Sequence, residues 1–383
     1  MDRLFVICEI GENMKKTLLM LLVLILTACS QSQDQTQSQK KSDNPADVVT
    51  TASIKTDQTG LEVIKDPLTR SETLLHTAVT LQIYHPNQEA AMEQAFNYMK
   101  EMEQLFSTNL SGSDVYKINQ AAGKEAVKVH PETFEVIQRA IDVAEQSQGL
   151  FDISIGALTN LWQIGSDQAR VPSDQEIQTA LTKIDYHKIT LDDQAQTVKL
   201  EEEGMALELG GISKGFIGSG VADILKEHGI STAIINLGGN VIVMGQNLAN
   251  QAGWNVGVQD PDKVRGAIVG SQRVQEGAIV TSGIYERYLE QDGKKYHHIM
   301  DPNTGYPLDN NISGVTVFAP TSFDGDAYST ALFLLGIDQG LDLINRLDGY
   351  EVVYIDKDKG VHLSDGLKES FQLTNKEYHI VNE

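Results

Sequence analysis

Apolar positions along this chain recur with two periods, and the periods change at turn-forming residues. The stretch Thr77-Ala78-Val79-Thr80-Leu81-Gln82-Ile83-Tyr84 alternates apolar and polar, as a strand with one buried face does. Residues 87–105 switch to helical spacing. Pro131 opens another helix, since proline suits a first turn, and Ser173-x-x-Glu176 is a capping box for a short one. Strands are predicted at 188–191 and 205–209, then a helix over 213–228 closed by Gly229. Further strands follow at Ala233–Leu237, 241–244 and 254–258, and a hairpin over 285–298 turning at Asp292-Gly293. Residues 314–318 read as a strand and 326–335 as a helix. Helices and strands interleaved with hairpins predict a mixed α/β (α+β) fold rather than a doubly wound parallel sheet.

The first part of the chain obeys neither period. Lys15-Lys16 precedes an apolar run at 18–26, shorter than the ~20 residues needed to span a bilayer. Leu26-Thr27-Ala28-Cys29 then looks like a bacterial lipoprotein cleavage box, in which Cys29 would be lipidated and become the mature N-terminus. Met14 is the more natural start. The alternative is a short buried helix. This pattern predicts a signal peptide over 1–29 and a lipid anchor in the cell membrane on its extracytoplasmic side. Residues 30–68 are polar and read as a flexible linker, leaving one domain over 69–383. The only cysteines are Cys8 and Cys29, so the mature chain would form no internal disulfide. With 41% hydrophobic residues the chain can fill a core, and its net charge of −23 argues against a nucleic-acid partner. An acidic protein that binds an anion needs local amides, a few placed cations or a metal.

The stretch Leu207-Glu208-Leu209-Gly210-Gly211-Ile212-Ser213-Lys214-Gly215-Phe216-Ile217-Gly218-Ser219-Gly220 meets that requirement. It is not a Walker loop, because Phe216 stands where the lysine belongs, and it contains no G-x-G-x-x-G. Glycines before a helix start leave N–H groups open to an anion. Lys214 in the first turn is disfavoured by the helix dipole, which a bound phosphate would explain; a surface lysine on a tight turn is the alternative. Asp326, Ser329 and Thr330, at i, i+3 and i+4, share a helix face and suit Mg²⁺, although acids near a helix start also serve as caps. Thr281-Ser282-Gly283, Tyr285 and 296–302 are dense in polar and aromatic groups. His297 and His298 point to opposite strand faces, which disfavours a two-histidine zinc site, and Asp301-Pro302-Asn303-Thr304-Gly305 reads first as a turn.

Taken in order, six motifs resemble the FAD:protein FMN transferase (ApbE, flavin transferase) family. They are Phe106-Ser107-Thr108; Gly149-Leu150-Phe151-Asp152-Ile153-Ser154-Ile155-Gly156 with Asn160-Leu161-Trp162; the glycine stretch; Asn236-Leu237-Gly238-Gly239; 281–305; and Ala319-Pro320-Thr321 leading to Asp326–Thr330. The resemblance implies a Mg²⁺-dependent enzyme that cleaves FAD and joins FMN by a phosphoester to a Thr or Ser of a target protein, releasing AMP. An FAD pyrophosphatase and a non-catalytic flavin-binding lipoprotein are the alternatives. By position, the Gly211 carbonyl, Asp326, Ser329 and Thr330 would surround Mg²⁺. Leu150, Phe151, Asp152, Glu208, Lys214 and Met300 would contact FAD, and His298 and Asp301 would stand near the reaction. Glu208 replaces the usual aspartate. Asn109 stands where a flavin-side aromatic is common, and Ala78 where a methionine is common.

Overall fold

The computed structural model describes residues 60–246 and 253–381; Cys29 and the predicted signal peptide lie outside them. The frame is a nine-stranded sheet. Its strands in chain order are β1 (Leu68–Leu74), β2 (Thr77–Ile83), β6 (Ala233–Leu237), β7 (Asn240–Met244), β10 (Gly277–Gly283), β13 (Ile312–Ala319), β14 (Glu351–Asp356), β15 (Gly360–Leu363) and β17 (His379–Ile380), and they lie side by side in that same order. All neighbours pair antiparallel except β15 and β17. Between these strands the chain forms two three-stranded sheets and a hairpin. The first small sheet is β3 (Val127–Lys128), β4 (Ile189–Asp192) and β5 (Thr197–Leu200); the second is β8 (Trp254–Gln259), β9 (Ile268–Val274) and β16 (Gln372–Leu373). The hairpin is β11 (Tyr288–Gln291) with β12 (Lys294–His297).

The period-two pattern sorts residues to the two faces of the large sheet. In β10, Ala278 and Val280 join the core beneath the helices, while Ile279 faces the cluster of Trp254, Val258 and Val269 contributed by β8 and β9. The helices are α1 (Glu89–Phe106), α2 (Asp114–Gln120), α3 (Pro131–Gln146), α4 (Gly156–Trp162), α5 (Asp174–Leu181), α6 (Ser213–Glu227), α7 (Ser322–Leu335) and α8 (Ile337–Ile344). Helix α1 buries Met92, Phe96 and Met99, and α6 buries Ile217, Val221 and Leu225, against that first face. Pro131 is at the start of α3, and Ser173 and Glu176 form the expected reciprocal cap.

Three expectations need correction. Residues 205–209 form no sheet strand and keep a single bridge, Ala206 to Ile155. Their backbone is claimed elsewhere: Leu207 N–H donates to Asn119 Oδ1 at 2.7 Å, Asn119 Nδ2 donates to Leu207 O at 3.1 Å, and Glu208 N–H donates to Ile153 O at 2.8 Å. The helix expected from 326 begins at Ser322, because Thr321 accepts the Asp324 N–H and caps it one turn earlier. The chain also engages the domain before residue 69, since Ile64 N–H donates to Tyr84 O and His85 Nδ1 meets Glu62 O.

Candidate functional site

The early start of α7 decides what its acids do. Asp324 is the capping acid: it bonds Thr321, Tyr350 Oη at 2.8 Å and the Arg139 guanidinium at 2.7 Å. Asp326 lies in the second turn and is 3% exposed. Its Oδ2 accepts the N–H of Gly215, at the start of α6, at 2.8 Å. Helix α6 has no side-chain cap of its own, so this carboxylate serves as one from a neighbouring helix and meets the positive end of the α6 dipole. Gly215 permits the approach: a Cβ there would lie 2.3 Å from Ser322 O and 2.5 Å from Asp326 Cβ. Asp326 Oδ1 faces the Lys214 ammonium at 3.7 Å.

The loop before α6 is fixed piece by piece. Gly210 N–H donates to Glu208 Oε1 at 2.8 Å, and Lys214 Nζ lies 3.4 Å from Gly210 O. Phe151 packs under Gly211, where a Cβ would come within 3.1 Å of the ring and 3.5 Å of Thr330 Oγ1. Gly156 lies against Ala206 O so closely that a Cβ would be 2.4 Å away. The 149–156 motif, the glycine loop and α7 therefore meet at one place.

The 281–305 region closes the site from the other side. Ser282 on β10 hydrogen-bonds Ser329 at 2.8 Å, and Ser329 Oγ donates to Asp326 O at 2.9 Å. His298 is half-buried, and its Nδ1 lies 3.2 Å from the Arg287 carbonyl. A proton on Nδ1 donated to that carbonyl leaves Nε2 as the basic nitrogen. Burial holds the ring well below its ordinary value, and the charges of Arg287, His297 and Lys214 push the same way, so the imidazole is neutral at physiological pH. His297 turns aside: Nε2 meets Leu308 O at 2.9 Å and Nδ1 accepts from Ile299 N.

This constellation accompanies a match to known proteins. A model of the ApbE family fits residues 75–354. The chain belongs to the ApbE family. A relative from Klebsiella pneumoniae (strain 342), named FAD:protein FMN transferase, is 35% identical over 82% of this chain and 96% of its own. One of the same name from Treponema pallidum (strain Nichols) is 34% identical over 81% and 90%. The crystal structure of the ApbE protein of Thermotoga maritima superposes with a TM-score of 0.73 at 31% identity, over 80% of this chain and 99% of that one.

Against this ApbE frame the predicted residues divide into two groups. Gly211, Lys214, Asp326, Ser329, Thr330, Phe151 and Glu208 form one cluster, and His298 is close enough to feel the Lys214 charge. Other residues are occupied within the protein. Asp152 Oδ1 accepts from Ser154 N–H and Oγ at 2.7 Å, and its Oδ2 accepts from Tyr186 N–H at 2.9 Å. Asp301 Oδ1 accepts from Asn303 N–H and Oδ2 from Thr304 Oγ1, so its carboxylate closes its own turn. Met300 is buried with Leu158, Trp162 and Ile177, beside the bond from Trp162 Nε1 to Gly305 O at 2.9 Å. Leu150 packs against the cluster containing Tyr328 and Leu332. Ala78 and Asn109 are exposed, and neither side chain hydrogen-bonds to Asp326, Lys214 or His298.

The donors near Asp326 fit a hard cation. They are a buried carboxylate with one oxygen facing only an ammonium, the Thr330 hydroxyl, and the carbonyl of a glycine that lies beside it. Among the described residues no group of three His, Cys, Asp or Glu side chains stands together. One carboxylate with neutral oxygens leaves coordination for water and phosphate, the usual arrangement for Mg²⁺. The engaged hydroxyl of Ser329 makes it a support for Asp326 in this geometry. Sequence reasoning missed three contributors. Gly215 and Ser282 lay inside motifs already singled out, whereas Asn119 gave no signal.

Proposed function

We propose that this ApbE-family protein is a Mg²⁺-dependent FAD:protein FMN transferase. The observation that carries the reading is the meeting of Asp326, Lys214 and the Gly210-Gly211 loop at the start of α6, beside a neutral His298. Such a place suits a diphosphate: Lys214 supplies a cation, and the Gly211 and Lys214 amides find no protein acceptor among the described residues. Bound Mg²⁺, held by Asp326, Thr330 and the Gly211 carbonyl, would neutralise charge developing on phosphate oxygens.

In the proposed reaction a Thr or Ser hydroxyl oxygen of the acceptor bonds to the FMN phosphorus of FAD. The bond from that phosphorus to the bridging oxygen breaks, and AMP leaves with the oxygen. His298 Nε2 takes the hydroxyl proton. Asp301, with its carboxylate closed in a turn, supports the His298 strand end and does not compete for that role.

The test is incubation of the protein with FAD, Mg²⁺ and membranes, scoring AMP and flavin fluorescence that survives denaturing electrophoresis. A fluorescent protein band with AMP supports transfer. AMP and free FMN without a band would leave a pyrophosphatase, and neither product would overturn the reading. We also propose that Cys29 is lipidated and holds the domain at the outer face of the membrane, on the strength of Leu26-Thr27-Ala28-Cys29. Cys29→Ser should move the protein to the soluble fraction with its activity intact; unchanged membrane association would refute the anchor.

A further inference from the structure

The reaction proposed above leaves the Asn236-Leu237-Gly238-Gly239 motif without a task, and the residue after it, Asn240, opens β7. Asn240 is 2% exposed, and its Nδ2 is buried with no hydrogen-bond partner among the described residues. A buried donor without a partner has given up water and gained nothing for it, so such groups are rare in folded proteins. The position of this one in the fold shows which acceptor it is kept for.

Asn240 lies directly opposite Leu237 on β6 and Val280 on β10, and directly opposed residues share a face of the sheet. Leu237 and Val280 belong to the core beneath the helices, so the Asn240 side chain faces the helices as well. Its two neighbours reach different helices. A Cβ on Gly218 of α6 would lie 3.2 Å from Leu237 Cδ1, and one on Gly325 of α7 would lie 2.9 Å from Val280 Cγ2. Asn240 therefore sits under the seam between α6 and α7. Gly218 also faces Ile242 Cδ1, at 2.9 Å from the same position, which puts it between the Ile242 and Asn240 levels of β7. Three residues back along α6, a rise of about 4.5 Å, brings Gly215 over Asn240. Helix α7 keeps step, with Gly325 over Val280 and Ser329 bonded to Ser282. The seam above Asn240 is thus the contact between Gly215 and Asp326.

Asp326 has capacity to spare. Its Oδ2 accepts the Gly215 N–H, while Oδ1 faces the Lys214 ammonium at 3.7 Å, and a carboxylate offers about four lone-pair sites. We infer that Asn240 is a positioning residue for the cation-binding carboxylate. With Mg²⁺ on Asp326, Asn240 Nδ2 donates to that carboxylate from the sheet and fixes its rotation. Carboxylates that ligate metals are held by outer hydrogen bonds of this kind. The amide is neutral, so it holds the acid without competing with the cation for its charge, as Lys214 does. The inference rests on the Mg²⁺ reading of Asp326.

The test titrates the full-length protein by calorimetry, with Mg²⁺ in the absence of nucleotide and with FAD in EDTA. Asn240→Leu keeps the shape of the side chain and removes the donor. Mg²⁺ affinity should fall about tenfold to a hundredfold, while FAD affinity in EDTA stays at the wild-type value. The urea midpoint of the metal-free variant should equal or exceed that of the wild type, because the lost donor had no partner. A purely structural role gives the reverse, a lower metal-free midpoint with unchanged Mg²⁺ affinity, and that result overturns the inference. Should Asn240→Leu not fold, Asn240→Ala removes the same donor within the space available, and the same two titrations decide. Wild-type protein that binds Mg²⁺ yet attaches no flavin to any protein removes the transferase reading and leaves this inference to the Mg²⁺ titrations. Wild-type protein that binds no Mg²⁺ overturns this inference together with the metal assignment.

Discussion

The Lys214 ammonium stands 3.7 Å from Oδ1 of Asp326, while Oδ2 of the same carboxylate holds the amide of Gly215 at 2.8 Å. One buried acid thus binds two consecutive residues of α6, one through its charge and one through its backbone. Lys214 shares its charge between this acid and any diphosphate at the loop. Lys214→Ala should weaken FAD binding by about tenfold to a hundredfold, the worth of a charge-assisted hydrogen bond. Because Asp326 then loses a competing cation, Mg²⁺ affinity should not fall. Titration of FAD and of Mg²⁺ separately, by calorimetry, checks both halves.

Asp326 has a structural and an electrostatic role, and two substitutions separate them. Asp326→Asn keeps an oxygen for Gly215 N–H but removes the charge; it should fold and lose at least about a hundredfold in AMP release. Asp326→Ala should lose activity and also melt at lower temperature, because the α6 amide is left without its acceptor. EDTA should silence the wild type. Full activity in folded Asp326→Asn would refute the metal assignment.

Gly215 is where the two helices nearly touch. Gly215→Ala would place a methyl 2.3 Å from Ser322 O and must push α6 from α7. A loss of about 1–3 kcal/mol of stability is expected, together with most of the activity. Gly112→Ala, where a Cβ meets nothing within 4 Å, is the control and should leave the denaturant midpoint unchanged.

The pH dependence follows from His298. Its folded-state value lies below the ordinary 6.5, so the unfolded chain takes up the proton first as pH falls. The stability tied to the neutral ring is therefore complete above about 6.5 and declines below it, toward the folded-state value. His298→Gln, which cannot titrate, should flatten the acid limb of a urea-midpoint profile between pH 7.5 and 5.5. In the wild type, kcat should show no inflection at 6.5, because the base remains unprotonated there.

The layout of elements was legible because period and capping agree over most of the chain. Residues 77–83 alternate, Pro131 and Ser173 mark helix starts, and Asp292-Gly293 turns the hairpin as expected. Residues 205–209 misled because their apolar pattern reports burial, while Asn119, 88 residues away, claims the backbone that a neighbouring strand would need. Asp326 and Lys214 could be singled out by residue type and spacing. Their relation to each other could not, since it depends on two helix starts meeting in space. Asp152 and Asp301 show the converse: both lie in motifs that carried the family resemblance in the sequence, and both have their carboxylates bound to the protein's own chain.

The bond from Gly215 to Asp326 joins positions 111 residues apart. A chain still being made, or one clipped before α7, carries the whole glycine loop yet lacks the acid that caps it and the hydroxyl that accompanies that acid. A chain that stops before residue 312 also leaves strand β10, which carries Ser282, without β13 at its side. The catalytic address is thus written in two halves and becomes readable only when nearly the entire polypeptide has emerged. Growing or truncated chains therefore hold no assembled centre at which FAD could be consumed.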